Sequence, residues 1–214
     1  MTDVLRTTPG RQRVLEILKL EEPAEASALA RSLGLTGAAV RQHLAALEAD
    51  GLIRAAPSSP DRPGRPAARW SLTDEGRALF PDRHGELTVQ LLEAMRTVLG
   101  DDGTTRVIDA RTGDQLAVYH AALVGTERNA RARVDALARQ RTAEGYMAEV
   151  VEVDGGLVLV EHHCPIWDAA RSCPGFCGAE LRLFRDALGA DVDVERTEHL
   201  LSDGLRCSYR ITPR

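Results

Sequence analysis

The cysteines are the feature of this sequence that most constrains its fold. All four, Cys164, Cys173, Cys177 and Cys207, lie in the last quarter of the 214 residues, and the first 163 residues contain none. Cysteines used as small core residues would be spread along the chain, whereas grouped thiols are typical of a site that holds one soft ion or cofactor. A fold built around such a site brings together segments that are far apart in sequence.

Length and hydropathy limit the class of protein. The chain is long enough for one or two domains, and no stretch reaches the roughly 20 apolar residues of a membrane span. Residues 1–13 lack the apolar region of a secretory signal, so we expect a cytoplasmic protein with no membrane partner. In that compartment grouped cysteines bind metal or do redox work more often than they form disulfides.

Three short helices are predicted near the N-terminus. Apolar residues recur at helical spacing over 11–20, over 24–33 and again after Thr36, and the third helix stops at Asp50. Gly34 can adopt the left-handed conformation that ends a helix, and Thr36 can cap the next one. This order is the helix-turn-helix pattern, which predicts double-stranded DNA as a partner.

A basic hairpin follows the three helices and extends the predicted DNA surface. Short strands at 52–54 and 69–73 flank a loop rich in proline and arginine, whose extended tip suits the minor groove. The N-terminal half of the third helix would enter the major groove. The predicted DNA-binding residues are Thr36, Ala38, Arg41, Gln42, His43, Arg62, Arg65 and Arg69. An ordinary three-helix core followed by a solvated loop has the same apolar spacing and stays an alternative.

Net charge argues only weakly against a nucleic-acid partner. The chain carries −5, but residues 1–80 hold 11 Lys and Arg against 10 Asp and Glu, while residues 81–214 hold 16 against 22. The acidic excess therefore lies outside the predicted DNA reader. Local arrangement of charge decides DNA binding more than the sum does.

The middle of the chain predicts a helix with an apolar face. Leucine, methionine and valine recur at helical spacing over 87–98, and Gly100 to Gly103 should end that helix. A helix leaving the hairpin is a natural seam for a homodimer, although the same residues could pack within their own subunit. We therefore divide the chain into a winged-helix DNA-binding domain (1–80), a dimerisation or linker helix (81–100) and a sensor domain (101–214).

The spacing of the cysteines leaves several kinds of site open. Counted from Cys164 it is C-x8-C-x3-C-x29-C, so Cys173 and Cys177 share one loop, while a hairpin turn would bring His199 opposite Cys207. Four thiolates suit zinc or an iron–sulfur cluster, and a single close pair favours the larger cluster. Two alternatives are reduced cysteines packed as apolar residues and a thiol–disulfide switch between Cys173 and Cys177.

Two segments resemble known regulator families. Residues 9–80, with GRP, RWSLT and a following glycine, resemble the winged-helix domain of ArsR-, MarR- and DeoR-type bacterial regulators. Residues 162–211, which include HHCPIWDAARSCPGFC, LGADVDVER and GLRCSYRI, are similar to the C-terminal signature of SufR-type regulators. That resemblance implies a winged-helix repressor of iron–sulfur assembly operons that carries a cluster, typically 4Fe-4S.

The SufR resemblance also implies a ligand set. Cys164, Cys177 and Cys207 fall on the cysteines that hold the cluster in that family, whereas Cys173 is an additional thiol and His199 stands where many members have a cysteine. We take Cys173 as the fourth ligand, because a thiolate binds cluster iron better than an imidazole and because it lies close to Cys177. His199 is the alternative.

These observations predict an α+β protein, with an N-terminal winged helix-turn-helix followed by a mixed α/β, cysteine-containing sensor domain. We expect a homodimeric transcription regulator, a repressor, whose DNA affinity is controlled by the iron–sulfur cluster. The alternatives are the same DNA reader with a structural zinc and an iron–sulfur redox protein. The sequence shows no nucleophile–base pair, phosphate loop or acid dyad, so we do not expect an enzyme.

Overall fold

The molecule is known from a computed structural model, which describes residues 8–56, 68–126 and 129–214. The chain divides into two compact units, residues 1–82 and 83–214. The predicted α+β class is confirmed, with a helical N-terminal reader and a C-terminal region of helices and antiparallel sheet. Of residues 81–100, predicted as a dimerisation or linker helix, residues 83–100 are part of the second unit.

The first unit packs helices against a small antiparallel sheet. Its elements are α1 (Pro9–Glu21), β1 (Ala24–Glu25), α2 (Ala26–Leu33), α3 (Gly37–Ala49), β2 (Ile53–Ala56), β3 (Arg69–Leu72) and α4 (Asp74–Ala78). The strand order is β1-β3-β2. Gly34 takes a φ of 65° after α2, as predicted, so the chain turns there without the steric penalty of a Cβ.

Aliphatic side chains form the core of the first unit. The helices α1, α2 and α3 contribute residues at helical spacing, and each of the three strands adds one. The buried members are Val14, Leu15, Leu18, Ala24, Leu29, Leu33, Val40, Leu44, Leu47, Ile53 and Leu72. A fully buried side chain of this kind contributes about 1.5–3 kcal/mol relative to exposure, so this set accounts for the packing of α3 onto α1 and α2.

The second unit covers one face of a four-stranded antiparallel sheet with helices. Its elements are α5 (His84–Ala122), α6 (Ala130–Ala143), β4 (Ala148–Val153), β5 (Gly156–Glu161), α7 (Trp167–Ser172), α8 (Gly175–Leu188), β6 (Val192–Glu198) and β7 (Cys207–Pro213). The strand order is β4-β5-β7-β6. Alternation is clear in β6, where Val192 and Val194 are buried while Asp193 and Glu195 are exposed. The ring of Phe184 meets that of Tyr209 edge to face, with centroids 4.8 Å apart.

The prediction that a helix ends at Gly100 is confirmed. The range of α5 joins two helices across a kink, where Gly100 is non-helical with φ 70° and ψ −179°. Glycine adopts this conformation without strain, and two aspartates directly after it suit the positive end of a restarting helix. The Thr104 hydroxyl donates to the Gly100 carbonyl at 2.8 Å, across the first turn after the break.

Candidate functional site

The start of α3 has the geometry predicted for a recognition helix. The Thr36 hydroxyl accepts a hydrogen bond from the Ala39 amide at 3.2 Å, so the helix begins at a side-chain cap. Ala38, Arg41 and Gln42 are exposed on the following turns. This half of α3 therefore exposes a small residue and two hydrogen-bond donors.

His43 lies in a different environment from the other predicted DNA contacts. It is half-buried and packs against the start of α1, where a Cβ on Gly10 would lie 2.7 Å from its Nε2. The imidazole therefore fills space that a glycine leaves open. Sequence spacing alone could not show this contact, because it joins residues 33 positions apart.

The base of the hairpin is described, whereas its tip is not. Arg69 pairs with Glu25 in the β1–β3 ladder and its Nη2 donates to the Pro23 carbonyl at 3.0 Å, which ties the guanidinium to the sheet. Arg62 and Arg65, predicted to enter the minor groove, lie outside the described residues.

Three of the four cysteines surround one cavity in the second unit. Cys164 follows β5, Cys177 lies in the first turn of α8, and Cys207 opens β7, where it pairs with Glu161. All three line a cavity of about 20 Å³, together with His199. Such a volume holds about one water molecule. The fold therefore gathers thiols from three separate segments, as the sequence predicted, around a small space.

Cys173 does not line this cavity. It is buried in a separate apolar cluster whose other core members are Leu92, Ile108, Ala169 and Ala179. Although Cys173 and Cys177 are close in sequence, the turn into α8 directs them to different surroundings. All four thiols are free, so the Cys173–Cys177 disulfide is not formed here.

His199 lines the cavity beside the three cysteines and has one unused ring nitrogen. Its Nδ1 lies 3.1 Å from the Ser202 hydroxyl, whereas its Nε2 is buried without a hydrogen-bond partner among the described residues. Burial lowers the pKa of His199, and the cation of Arg196 acts in the same direction. The ring is therefore neutral at pH 7, and with the proton on Nδ1 it presents a lone pair on Nε2.

The cavity thiols are held in their protonated form. Burial raises the pKa of both Cys164 and Cys177 to about 11, and burial also raises the pKa of Cys207. The Leu200 amide donates to the Cys207 sulfur at 3.5 Å, which partly offsets this. The cation of Arg196 lowers the pKa of Cys177 and of Cys207, but burial is the larger cause. Protonated thiols are unreactive as nucleophiles, whereas a bound metal ion would deprotonate them.

A buried charge network lies beside the cavity, and the sequence did not predict it. The side chain of Arg141 is 1% exposed and that of Glu161 is 2% exposed. Arg141 donates to both oxygens of Glu161, at 2.5 and 3.1 Å, and also pairs with Glu180, which lines the cavity with Glu161. Burial raises the pKa of Glu161 to about 7, while Arg141 acts in the opposite direction. The Tyr119 hydroxyl accepts from Arg141 at 3.0 Å and completes the set.

The helix between the first two cavity cysteines packs against α5. This helix, α7, lies between Cys164 and Cys177, and it shares the apolar cluster that contains Leu92 of α5. Arg96 of α5 adds a polar contact, because its Nη2 donates to the Ser172 carbonyl at 3.2 Å. The part of α5 that precedes Gly100 is therefore fastened to the cysteine-bearing corner of the fold.

The described residues contain no group of three or more His, Cys, Asp or Glu arranged to hold a metal ion as they stand. The donor chemistry nevertheless fits a soft metal, since three thiols and an imidazole with an unpartnered nitrogen line one cavity. Metal binding would thus require the three segments to move relative to one another. Across the parts of the chain that are described, no helix is long and apolar enough to cross a membrane.

Among the comparisons with known proteins, the clearest match concerns the N-terminal unit. The crystal structure of ZitR, a zinc-responsive MarR family member of Lactococcus lactis, is similar at 22% identity and a TM-score of 0.32 over 53% of this chain and 74% of that one. A score of this size does not establish a common fold, and the zinc response is a property of that protein. No curated protein matches this chain. Residues 7–55 match the family of helix-turn-helix domains, in agreement with α1, α2 and α3.

Proposed function

We propose that this chain is a homodimeric DNA-binding repressor whose DNA affinity depends on a cofactor held by Cys164, Cys177 and Cys207. The observation that carries the proposal is the meeting of these three thiols at one cavity, in a chain whose residues 7–55 match a helix-turn-helix domain. A reader and a ligand site on one chain form a sensor when binding at one changes affinity at the other. No enzymatic activity is part of the proposal.

We propose an iron–sulfur cluster as the cofactor. The similarity of residues 162–211 to SufR-type regulators supports it, and thiolates are the ligands that such clusters use. A bound cluster would supply sensitivity to oxidants and to iron supply. For the fourth ligand we now propose His199 rather than Cys173, because the His199 Nε2 is buried without a partner among the described residues and Cys173 lies in another cluster.

Zinc is the second candidate, and one observation favours it. Three thiolates and one imidazole are a common tetrahedral ligand set for Zn²⁺. The neutral imidazole of His199 beside the three cavity cysteines matches that set as well as it matches a cluster. Both candidates use the same residues, so metal analysis separates them.

Coupling between cofactor and DNA would run through α7 and α5. With Cys164 and Cys177 fixed to one cofactor, both ends of α7 are tied, and α7 in turn contacts α5 through Arg96 and the cluster around Leu92. Loss of the cofactor frees α7, and the hold on α5 before Gly100 weakens. That part of α5 follows the reader directly in the chain, so its order governs how two readers are spaced.

The same part of α5 is the surface we propose for the homodimer. Leu87, Leu91 and Val98 lie at spacings of four and seven residues and are all exposed, with Val98 at 79%. Residues at these spacings share one side of a helix. Two copies joined along this side would present two α3 helices to the two halves of an operator.

The test compares cysteine variants of the full chain, purified without oxygen. DNA ligands are first selected by the wild type from a random pool. We expect Cys164→Ser and Cys207→Ser to lose iron, sulfide and visible absorption, and to bind the selected DNA about 5- to 150-fold more weakly, the usual range of allosteric coupling. Cys173→Ala removes the remaining thiol and keeps an apolar residue in the cluster around Leu92, so it should keep iron, sulfide and visible absorption. Selected DNA bound equally well by cofactor-free and cofactor-loaded wild type would refute the switch. Zinc in place of iron and sulfide would select the second candidate.

A further inference from the structure

Arg196 on β6 is a mostly buried cation beside Cys177, and no role has been assigned to it so far. Its side chain is 14% exposed. Nη2 donates to the Cys177 carbonyl at 2.5 Å and lies 3.3 Å from the Tyr209 hydroxyl. The guanidinium therefore fixes the backbone of one proposed ligand, Cys177, at the first turn of α8.

The positive charge of Arg196 is only partly balanced. Its nearest carboxylate oxygen is on Glu180, 3.7 Å away, beyond hydrogen-bond distance. That carboxylate is already committed, since one oxygen pairs with Arg141 and the other accepts from the Tyr209 hydroxyl at 2.7 Å. Among the described residues, no carboxylate therefore accepts a hydrogen bond from Arg196.

One donor of Arg196 is also unused. Its Nε–H is buried and has no acceptor in the parts of the chain that the structure describes. A buried donor left without an acceptor costs about 1–3 kcal/mol, so such groups are retained where an acceptor arrives with a ligand. The side chain borders His199, whose Nε2 is the other unpartnered atom of this corner.

A second arginine that contacts β6 shows what is unusual about Arg196. Arg185 of α8 also donates to a backbone carbonyl, that of Val194 at 2.9 Å, but it does so with its Nε. Arg185 is exposed, whereas the side chain of Arg196 is mostly buried. An arginine can therefore attach α8 to β6 without leaving its Nε–H without an acceptor.

We propose that Arg196 is a positioning residue for the sulfur-bound cofactor, and that its Nε–H and charge stabilise the negative sulfur of Cys177 in the loaded state. The inference rests on the proposed function, because it requires Cys177 to be a ligand. Hydrogen bonds to ligand sulfur raise the reduction potential of a cluster and retain metal. The residue acts through Cys177 and does not itself bind the metal.

The experiment compares loaded full-length wild type with Arg196→Gln, Arg196→Lys and Arg185→Gln. Metal release to an excess of a chelator is followed by absorption, and the reduction potential is measured by dye-mediated titration if iron is bound. Arg196→Gln should release metal about 10-fold faster, the lower end of the usual effect of residues that orient ligands. Arg196→Lys keeps the charge but not the planar guanidinium, so its rate of metal release should lie between those of the wild type and Arg196→Gln. Arg185→Gln should release metal at the wild-type rate. The cluster potential should fall in Arg196→Gln.

Three results would overturn the inference. Arg196→Gln could release metal at the wild-type rate. Arg196→Lys could release metal as fast as Arg196→Gln while the reduction potential stays at the wild-type value. The contact of Arg196 with the Cys177 carbonyl would then be purely structural. A wild type that takes up neither iron nor zinc would overturn the proposed function together with this inference, so the two failures are distinguishable. If Arg196→Gln does not fold by circular dichroism, Arg196→Lys against Arg185→Gln decides the question.

Discussion

The two units are held together in different ways. In the first unit the largest fully buried side chains are aliphatic, such as Leu18, Leu44 and Ile53, whereas in the second they include Arg141 and Tyr119. Among the described residues, the buried polar and charged side chains, Thr104, Arg133, Arg141, Glu161 and Ser208, all belong to the second unit. Aliphatic burial is non-directional and tolerates small shifts, while a buried ion-pair network is stable only when every member is in place.

This difference indicates that a ligand would act on the second unit rather than on the first. The reader needs one rigid shape, and its core contains no group that responds to metal or oxidation. In the second unit, thiols, an imidazole and paired charges lie close to one another. A change in the charge or position of one of them therefore alters the interactions of the others. The three predictions below test this contrast.

The largest effect is expected from removing the central cation of the second unit. Arg141→Ala leaves the buried Glu161 without a partner, and breaking a buried pair in this way costs about 3–5 kcal/mol of unfolding free energy. Urea unfolding followed by circular dichroism measures it. Arg139→Ala, on the exposed side of α6, is the control and should change stability little. A small loss for Arg141→Ala would show that the network does not hold the second unit.

The corresponding change in the first unit should act on packing alone. Leu44→Ala empties space in the aliphatic core, for which about 2–4 kcal/mol is the usual loss. DNA binding should weaken with the folded fraction, while the metal content of the second unit stays at the wild-type value. Leu35→Ala, at a partly exposed position, is the matched control. Loss of metal in Leu44→Ala would contradict the independence of the two cores.

The smallest effect on the unfolding free energy is expected at the N-terminal cap of α3. Thr36→Ala removes the acceptor of the Ala39 amide and should lower the unfolding free energy by about 1 kcal/mol. Thr36→Ser keeps the acceptor and should restore most of it, as thermal unfolding can measure. If alanine and serine were equally stable, the hydroxyl would not be acting as a cap.

Local signals in the sequence predicted the first unit well. Gly34 and Thr36 marked the turn between α2 and α3, because one residue fixes the end of a helix and the other caps the next start. The break at Gly100 was also predicted, because a glycine adopts the positive φ found there without strain. The contact of the Thr104 hydroxyl with the Gly100 carbonyl appears only in the structure.

The site in the second unit was predictable only in part. Grouped cysteines indicated that Cys164, Cys177 and Cys207 belong together, but the direction of Cys173 depends on the turn into α8. Residues 199–206 join β6 and β7 in place of the predicted three-residue turn. The pairing of Arg141 with a glutamate 20 residues away depends on helix packing, which no spacing reveals.

The strand register at Cys207 has a consequence for how the three cavity thiols are gathered. The segments between them contain 12 and 29 residues. Because the entropy of closing a flexible loop grows only with the logarithm of its length, the longer one costs about 0.8 kcal/mol more to close. In the folded sheet, the pairing of Cys207 with Glu161 also holds Cys207 three residues from Cys164 in the neighbouring segment. Backbone hydrogen bonds therefore bring these two thiols near each other without any ligand.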